Sequence, residues 1–140
     1  MDVNLDGTFN MVYAVKDGMI ERRSGCIVTF ASVAALRPRE HQVAYAASKA
    51  GVIALTRCCA EAWAPYNVRV NCISPGLFRT EMANTVEPAI LEKMVNATPM
   101  QRYGRPEEIA ALARFLVSEE SGFMTGQTIV TSGGRVMLPG

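Results

Sequence analysis

The chain has 140 residues, with 14 basic side chains against 13 acidic ones, and a composition 49% apolar and 19% charged. That suffices for one compact domain and not for two, and the even charge, with no basic stripe, argues against a nucleic-acid binder. No apolar run approaches the roughly 18 residues of a spanning helix, and the acidic opening Met1-Asp2-Val3-Asn4-Leu5-Asp6 does not read as a secretory signal, so no membrane partner is expected.

In chain order, residues 3–22 place Leu5, Phe9, Val12, Tyr13, Met19 and Ile20 at helical spacing, with Arg22 and Arg23 near the end and Ser24-Gly25 as a glycine stop. Cys26 to Ala31 is β-branched and hardly alternates, as in a strand buried on both faces. A loop from Ser32 through His41 leads to a long helical pattern over 43–64, with Val52, Leu55, Cys59, Ala62 and Trp63 on or near one face and Pro65 as its stop. Val68 to Ile73 is the next strand, ended by Ser74-Pro75-Gly76. A weaker helix is expected over 88–96. A second opens at Pro106, with Glu107 and Glu108 in its first turn, and runs to about Val117. The last strand is 127–131, before Ser132-Gly133-Gly134. Strand and helix alternate, which predicts a parallel α/β sheet with helices on its faces.

Cys26, Cys58, Cys59 and Cys72 show neither zinc-ligand spacing nor a CxxC pair; they read as reduced thiols of a cytoplasmic protein, and no metal is expected. Cys26 and Cys72 look like small core residues. His41 is either lining for a pocket near Ser32 or exposed polar filler, and Met82, Met94 and Met100 are either a pliable lid or ordinary packing.

The chemistry concentrates in Ser32 and in Tyr45-Ala46-Ala47-Ser48-Lys49, with Asn4 upstream. Tyr45 and Lys49 stand four residues apart, so on a helix they share one face. A cation there favours the phenolate and brings a tyrosine pKa down from roughly 10, toward use as a proton donor or acceptor. Carbonyl/alcohol redox chemistry needs such a group, because one proton moves while a hydride moves elsewhere.

Several signatures occur in order: Val3-Asn4-Leu5 opening a helix, Ser32 after a strand, Tyr45 to Lys49, and Asn71-Cys72-Ile73-Ser74-Pro75-Gly76 with Thr80 four residues on. Gly104-Arg105-Pro106-Glu107-Glu108 and Thr125-Gly126-Gln127 with Gly133-Gly134 complete the set. Together they resemble the C-terminal part of a short-chain dehydrogenase/reductase, of the subgroup that includes 3-oxoacyl-ACP reductases. The resemblance implies one partial domain over 1–140: the C-terminal portion of a Rossmann-type parallel sheet with flanking helices, its N-terminal strands missing. It implies Tyr45 as acid/base, Lys49 as its cationic partner and ribose ligand, Ser32 on the substrate oxygen, and Asn4 holding a relay water. Pro75, Gly76, the Phe78 backbone and Thr80 would meet the nicotinamide of NAD or NADP. Taken singly, Asn4 and Thr80 are also favoured helix caps.

The resemblance further implies a small carbonyl or alcohol substrate and a homo-oligomer formed through helices 3–22 and 43–64. One feature of the family is absent: no glycine-rich strand-turn-helix that would cradle a pyrophosphate occurs in the sequence. Family members run to roughly 250 residues, so this chain would be a little over half of one. Two readings follow: an NAD(P)-dependent oxidoreductase, or a truncated, non-catalytic fragment acting through association with other subunits.

Overall fold

The computed structural model describes residues 2–79 and 86–137. A single wide helical turn at Asp2–Asp6 leads into α1 (Gly7–Glu21), followed by β1 (Gly25–Phe30), α2 (Val43–Trp63), β2 (Val68–Pro75), α3 (Pro88–Asn96), α4 (Pro106–Val117) and β3 (Thr128–Thr131). The three strands form one parallel sheet in the order β1-β2-β3. Gly25 to Phe30 register with Val68 to Ile73, and Cys72 to Pro75 with Thr128 to Thr131. The expected parallel α/β sheet is therefore present.

The core lies between β2 and the helix pair α1/α2. Val12, Cys59, Ala60 and Trp63 close over Val68 and Val70, and Val52 and Ile53 over Cys72 and Ala31. Two adjacent β2 residues, Cys72 and Ile73, are both fully buried, because this strand has a neighbour on each edge and cover on each face. On the face opposite α1, α4 packs against the sheet, and the Cys26 thiol donates to the Leu116 carbonyl at 3.1 Å. Burial is the main reason the Cys26 thiol pKa lies above its ordinary value, with the Arg69 charge opposing.

Two side chains of β2 fasten the chain that returns to β3. Arg69 donates to the carbonyls of Leu116 and Ser118 and to Ser121 Oγ, each at 3.0 Å. Asn71, fully buried, donates to the Met124 carbonyl at 2.8 Å and accepts from the Gln127 amide at 3.1 Å. Both groups satisfy backbone that would otherwise be buried without a partner.

Four expectations need correction. The helix over 3–22 does not stop at glycine: Arg23 takes the left-handed conformation (φ 52°), and Gly25 instead opens β1. There a Cβ would come within 2.6 Å of the Met19 side chain, so glycine serves close approach of α1 to the strand. Residues 25–28 are only partly buried, Thr29 is buried and Phe30 is exposed, rather than the strand being buried on both faces, because among the described residues β1 has a neighbour on one edge alone. Ala62 is exposed, whereas Ala46, Ile53, Thr56 and Ala60 join the buried face of α2. Cys26 is half-buried, while Cys72 is a core residue as read.

Candidate active site at the carboxyl ends of the strands

Ser32 stands just past the end of β1 in extended conformation (φ −163°, ψ 153°), where it caps a short 3-10 turn over Val33–Ala35. Its Oγ accepts from the Ala34 amide at 3.2 Å, which leaves the hydroxyl hydrogen free to donate. Tyr45 lies in the first turn of α2 and is 41% exposed; among the described residues nothing bonds to its hydroxyl. Lys49, one turn on, donates from Nζ to the Phe30 carbonyl at 3.0 Å and lies 5.9 Å from the centre of the Tyr45 ring.

The position of Lys49 follows from strand geometry. The Ala31 amide donates to the Ile73 carbonyl at 2.9 Å, so by alternation the backbone groups of Phe30 point to the open edge of β1. Lys49 supplies a donor to that unpaired carbonyl and is thereby held beside Tyr45. Asn4 is half-buried in the opening turn, where its carbonyl accepts from Thr8 Oγ1 at 2.7 Å. Its side chain lines, with Lys49, Thr8 and Phe30, a groove of about 680 Å³ between α1 and the open edge of β1. Thus the fold gathers Ser32, Tyr45 and Lys49 around the end of β1 and brings Asn4 to the groove that Lys49 enters.

The second cluster follows β2. Pro75 ends the strand, and the Gly76 amide donates to the Thr131 carbonyl at 2.9 Å. A Cβ on Gly76 would stand 2.9 Å from Ser132 Cα, so this turn requires glycine. Phe78 forms an isolated parallel bridge with Gly104, through the bonds from Gly104 N to Leu77 O and from Arg79 N to Gly104 O. Those bonds use neither the amide nor the carbonyl of Phe78 itself, while its ring faces a cavity of about 470 Å³ with Met100, Val130 and Val136. Thr80 and Met82 lie outside the described residues. Met100 lines the cavity and is exposed, Met94 is half-buried, and His41 is exposed, paired with Glu40 at 3.1 Å.

Also lining this cavity, Arg102 makes a two-bond pair with Glu108, at 2.9 and 2.7 Å, and Glu108 also accepts from the Arg105 amide at 2.7 Å to cap α4. The hydrogen bond from Arg102, then that amide, lowers the Glu108 carboxyl pKa to about 2. Sequence reasoning saw two acids opening a helix and missed this pairing. It also missed the gathering of Arg37 and Arg39 with Arg135, for which the pattern Arg37-Pro38-Arg39 was the available signal.

The donor set at this end suits the ribose and carboxamide of a nicotinamide: an anchored ammonium, a free phenol and a turn closed by glycine. Among the described residues no glycine-rich turn leads from a strand into a helix, so nothing there fits a pyrophosphate. Nor is any helix among them long and apolar enough to cross a membrane.

A parallel sheet with flanking helices, its candidate site residues at the carboxyl ends of the strands, is of the Rossmann-type class. A family model described as enoyl-(acyl carrier protein) reductase matches residues 1–135, and the chain belongs to the short-chain dehydrogenase/reductase family. It is 41% identical over 137 residues to a 3-oxoacyl-[acyl-carrier-protein] reductase of Thermotoga maritima, an alignment covering 98% of this chain and 56% of that protein. It superposes on a 3-oxoacyl-[acyl-carrier protein] reductase from Brucella melitensis with a TM-score of 0.90 at 42% identity, covering 96% of this chain and 51% of the other. A second structure from the same organism, a reductase with bound NAD, gives a TM-score of 0.88 at 41% identity over 98% and 50% of the two chains. The chain therefore spans about half the length of the relatives it matches.

Proposed function

We propose that this chain is the catalytic half of a Rossmann-type domain in an NAD(P)-dependent oxidoreductase that interconverts a carbonyl and a secondary alcohol. The observation that carries this reading is the placement of Lys49, held by the Phe30 carbonyl and set beside the Tyr45 ring at the strand end that bears Ser32. When bound, the nicotinamide supplies or takes the hydride. Ser32 donates its free hydroxyl hydrogen to the substrate oxygen and steadies charge there. Tyr45 Oη gives a proton to that oxygen in reduction and takes one in oxidation, and Lys49 offers its positive charge to the phenolate so formed. Asn4, in the same groove as Lys49, holds the water through which the proton is replaced. Pro75, Gly76 and the free backbone groups of Phe78 bound the nicotinamide end, with Thr80 beside the carboxamide. The pyrophosphate cradle is supplied by residues outside this chain.

The relatives named above suggest a 3-oxoacyl or similar carbonyl substrate, and either nucleotide is compatible with the residues present. Self-association through α1 and α2 is supported by Phe9 and Tyr13, stacked at 4.1 Å between ring centres and both 42% exposed, with Trp63 edge-on to Tyr13. Four free cysteines suit a reducing compartment, the cytoplasm.

One observation favours a second reading. The open edge of β1, with its groove, is a surface for association, so the chain could work without catalysis as a partner of other subunits. Fluorescence titration with NADPH and NADH separates the two: saturable binding supports the oxidoreductase, and its absence in a preparation that includes the residues of the pyrophosphate cradle supports the fragment. In an active preparation Tyr45→Phe is expected to lower kcat about 100-fold or more while sparing cofactor binding. Undiminished turnover would sink the acid/base assignment.

A further inference from the structure

Arg37 and Arg39 lie in the loop between Ser32 and Tyr45, and Arg135 follows the Ser132-Gly133-Gly134 turn beyond β3. Although 98 residues separate them, an Arg37 guanidinium N–H donates to the Arg135 carbonyl at 3.4 Å. The Arg135 side chain is half-buried and donates to the Met94 carbonyl at 2.8 Å. Burial, and then the positive charges of Arg39 and Arg37, lower its pKa from the ordinary arginine value.

None of the three has an ion pair with a described residue. Arg102 shows the contrast, since Glu108 neutralises it through two hydrogen bonds. Among the described residues nothing neutralises the three guanidinium groups, and like charges held together cost stability, so a ligand bearing negative charge would relieve the cluster.

The location says where that ligand sits. The Arg135 turn abuts Gly76, since Ser132 Cα stands 2.9 Å from where a Gly76 Cβ would be. The loop carrying Arg37 and Arg39 is framed by Ser32 on one side and Tyr45 on the other. The cluster thus bridges the carboxyl ends of β1 and β3 around that of β2, the crevice in which open α/β sheets hold ligands. A guanidinium presents a planar fork of donors that matches a carboxylate or a phosphate.

We propose that Arg37, Arg39 and Arg135 bind a compact oxyanion, a carboxylate or phosphate, on the substrate whose carbonyl meets Ser32 and Tyr45. The site rests on the oxidoreductase reading for the identity of its ligand as substrate; oxyanion binding itself requires neither cofactor nor turnover.

Calorimetric titration of the 140-residue chain at low ionic strength, with sodium phosphate and separately with sodium acetoacetate, tests it. Saturable binding of at least one probe is expected, weakened about tenfold or more in Arg37→Gln/Arg39→Gln. Arg57→Gln/Arg114→Gln removes the same charge from exposed positions on α2 and α4 and is expected to leave binding within about twofold of wild type. Binding of phosphate alone assigns a phosphorylated substrate; binding of acetoacetate, alone or with phosphate, assigns a carboxylate. Arg39→Gln alone, at an exposed side chain, serves if the double variant fails to fold. No saturable binding of either probe, or equal weakening in both double variants, overturns the proposal. A chain that binds NADPH but neither probe loses this site and keeps its proposed function; one that binds a probe keeps this site whatever its nucleotide binding.

Discussion

β1 and β2 are neighbours in one sheet and read much alike in sequence, yet the fold treats them differently. β2 is paired on both edges and covered on both faces, and its residues Arg69 and Asn71 hydrogen-bond the chain that returns to β3. β1 is paired on one edge, and its other edge borders a groove rimmed by Met11 and Phe30, which are 69% and 44% exposed. The candidate chemistry sits on the weaker strand: Ser32 follows β1, and Lys49 is anchored on a β1 carbonyl that the sheet leaves unpaired. Order at the site therefore depends on what covers the β1 edge, while β2 supplies the frame.

Hydrogen exchange offers the largest effect by which to break this comparison. Amides of Cys26 and Val28 point to the open edge, and Cys72 N donates to the Gln127 carbonyl at 2.8 Å. The Cys26 and Val28 amides are expected to exchange faster than that of Cys72 by on the order of a thousandfold, about 4 kcal/mol in opening free energy. Equal protection would mean that the β1 edge is covered in solution.

Side-chain truncation sharpens the same contrast. Ile73→Ala, at a fully buried β2 position, is expected to cost about 2–5 kcal/mol in urea unfolding, and Phe30→Ala on β1 less than about 1 kcal/mol. A large cost at Phe30 would show that another subunit packs on it.

The smallest effect concerns α4, which packs against both strands. The Glu108 carboxyl has its folded pKa lowered to about 2 from an ordinary value near 4.5. Its contribution to stability is therefore complete above the unfolded pKa and is lost as pH falls from about 4.5 toward 2. The urea midpoint of wild type is expected to fall more between pH 6 and pH 3 than that of Glu108→Gln; identical slopes would remove the ion pair from the account.

Much of the fold was legible in the residues because it depends on local pattern. Pro106 with Glu107 and Glu108 announced α4, and the apolar runs at 26–31 and 68–73 announced strands. What misled was context. The composition of β1 is that of a strand with two neighbours, and no local signal says that only one is present. Gly25 looked like a helix stop, whereas its role is to admit the Met19 side chain from α1, a contact between elements. Asn71 stood in a motif as a letter and proved to be the clamp on the 124–127 segment.

The sequence by itself determined the element order, the parallel α/β class, the family, and the spacing that sets Tyr45 and Lys49 on one helical face. Those properties rest on periodicity and on residues close in the chain. Only the tertiary structure decided that Lys49 is held by the Phe30 carbonyl, that Asn4 enters its groove, and that Arg135 comes to Arg37 across 98 residues. Each depends on which strand lies beside which and on which backbone groups the sheet leaves unpaired, and no local pattern encodes that.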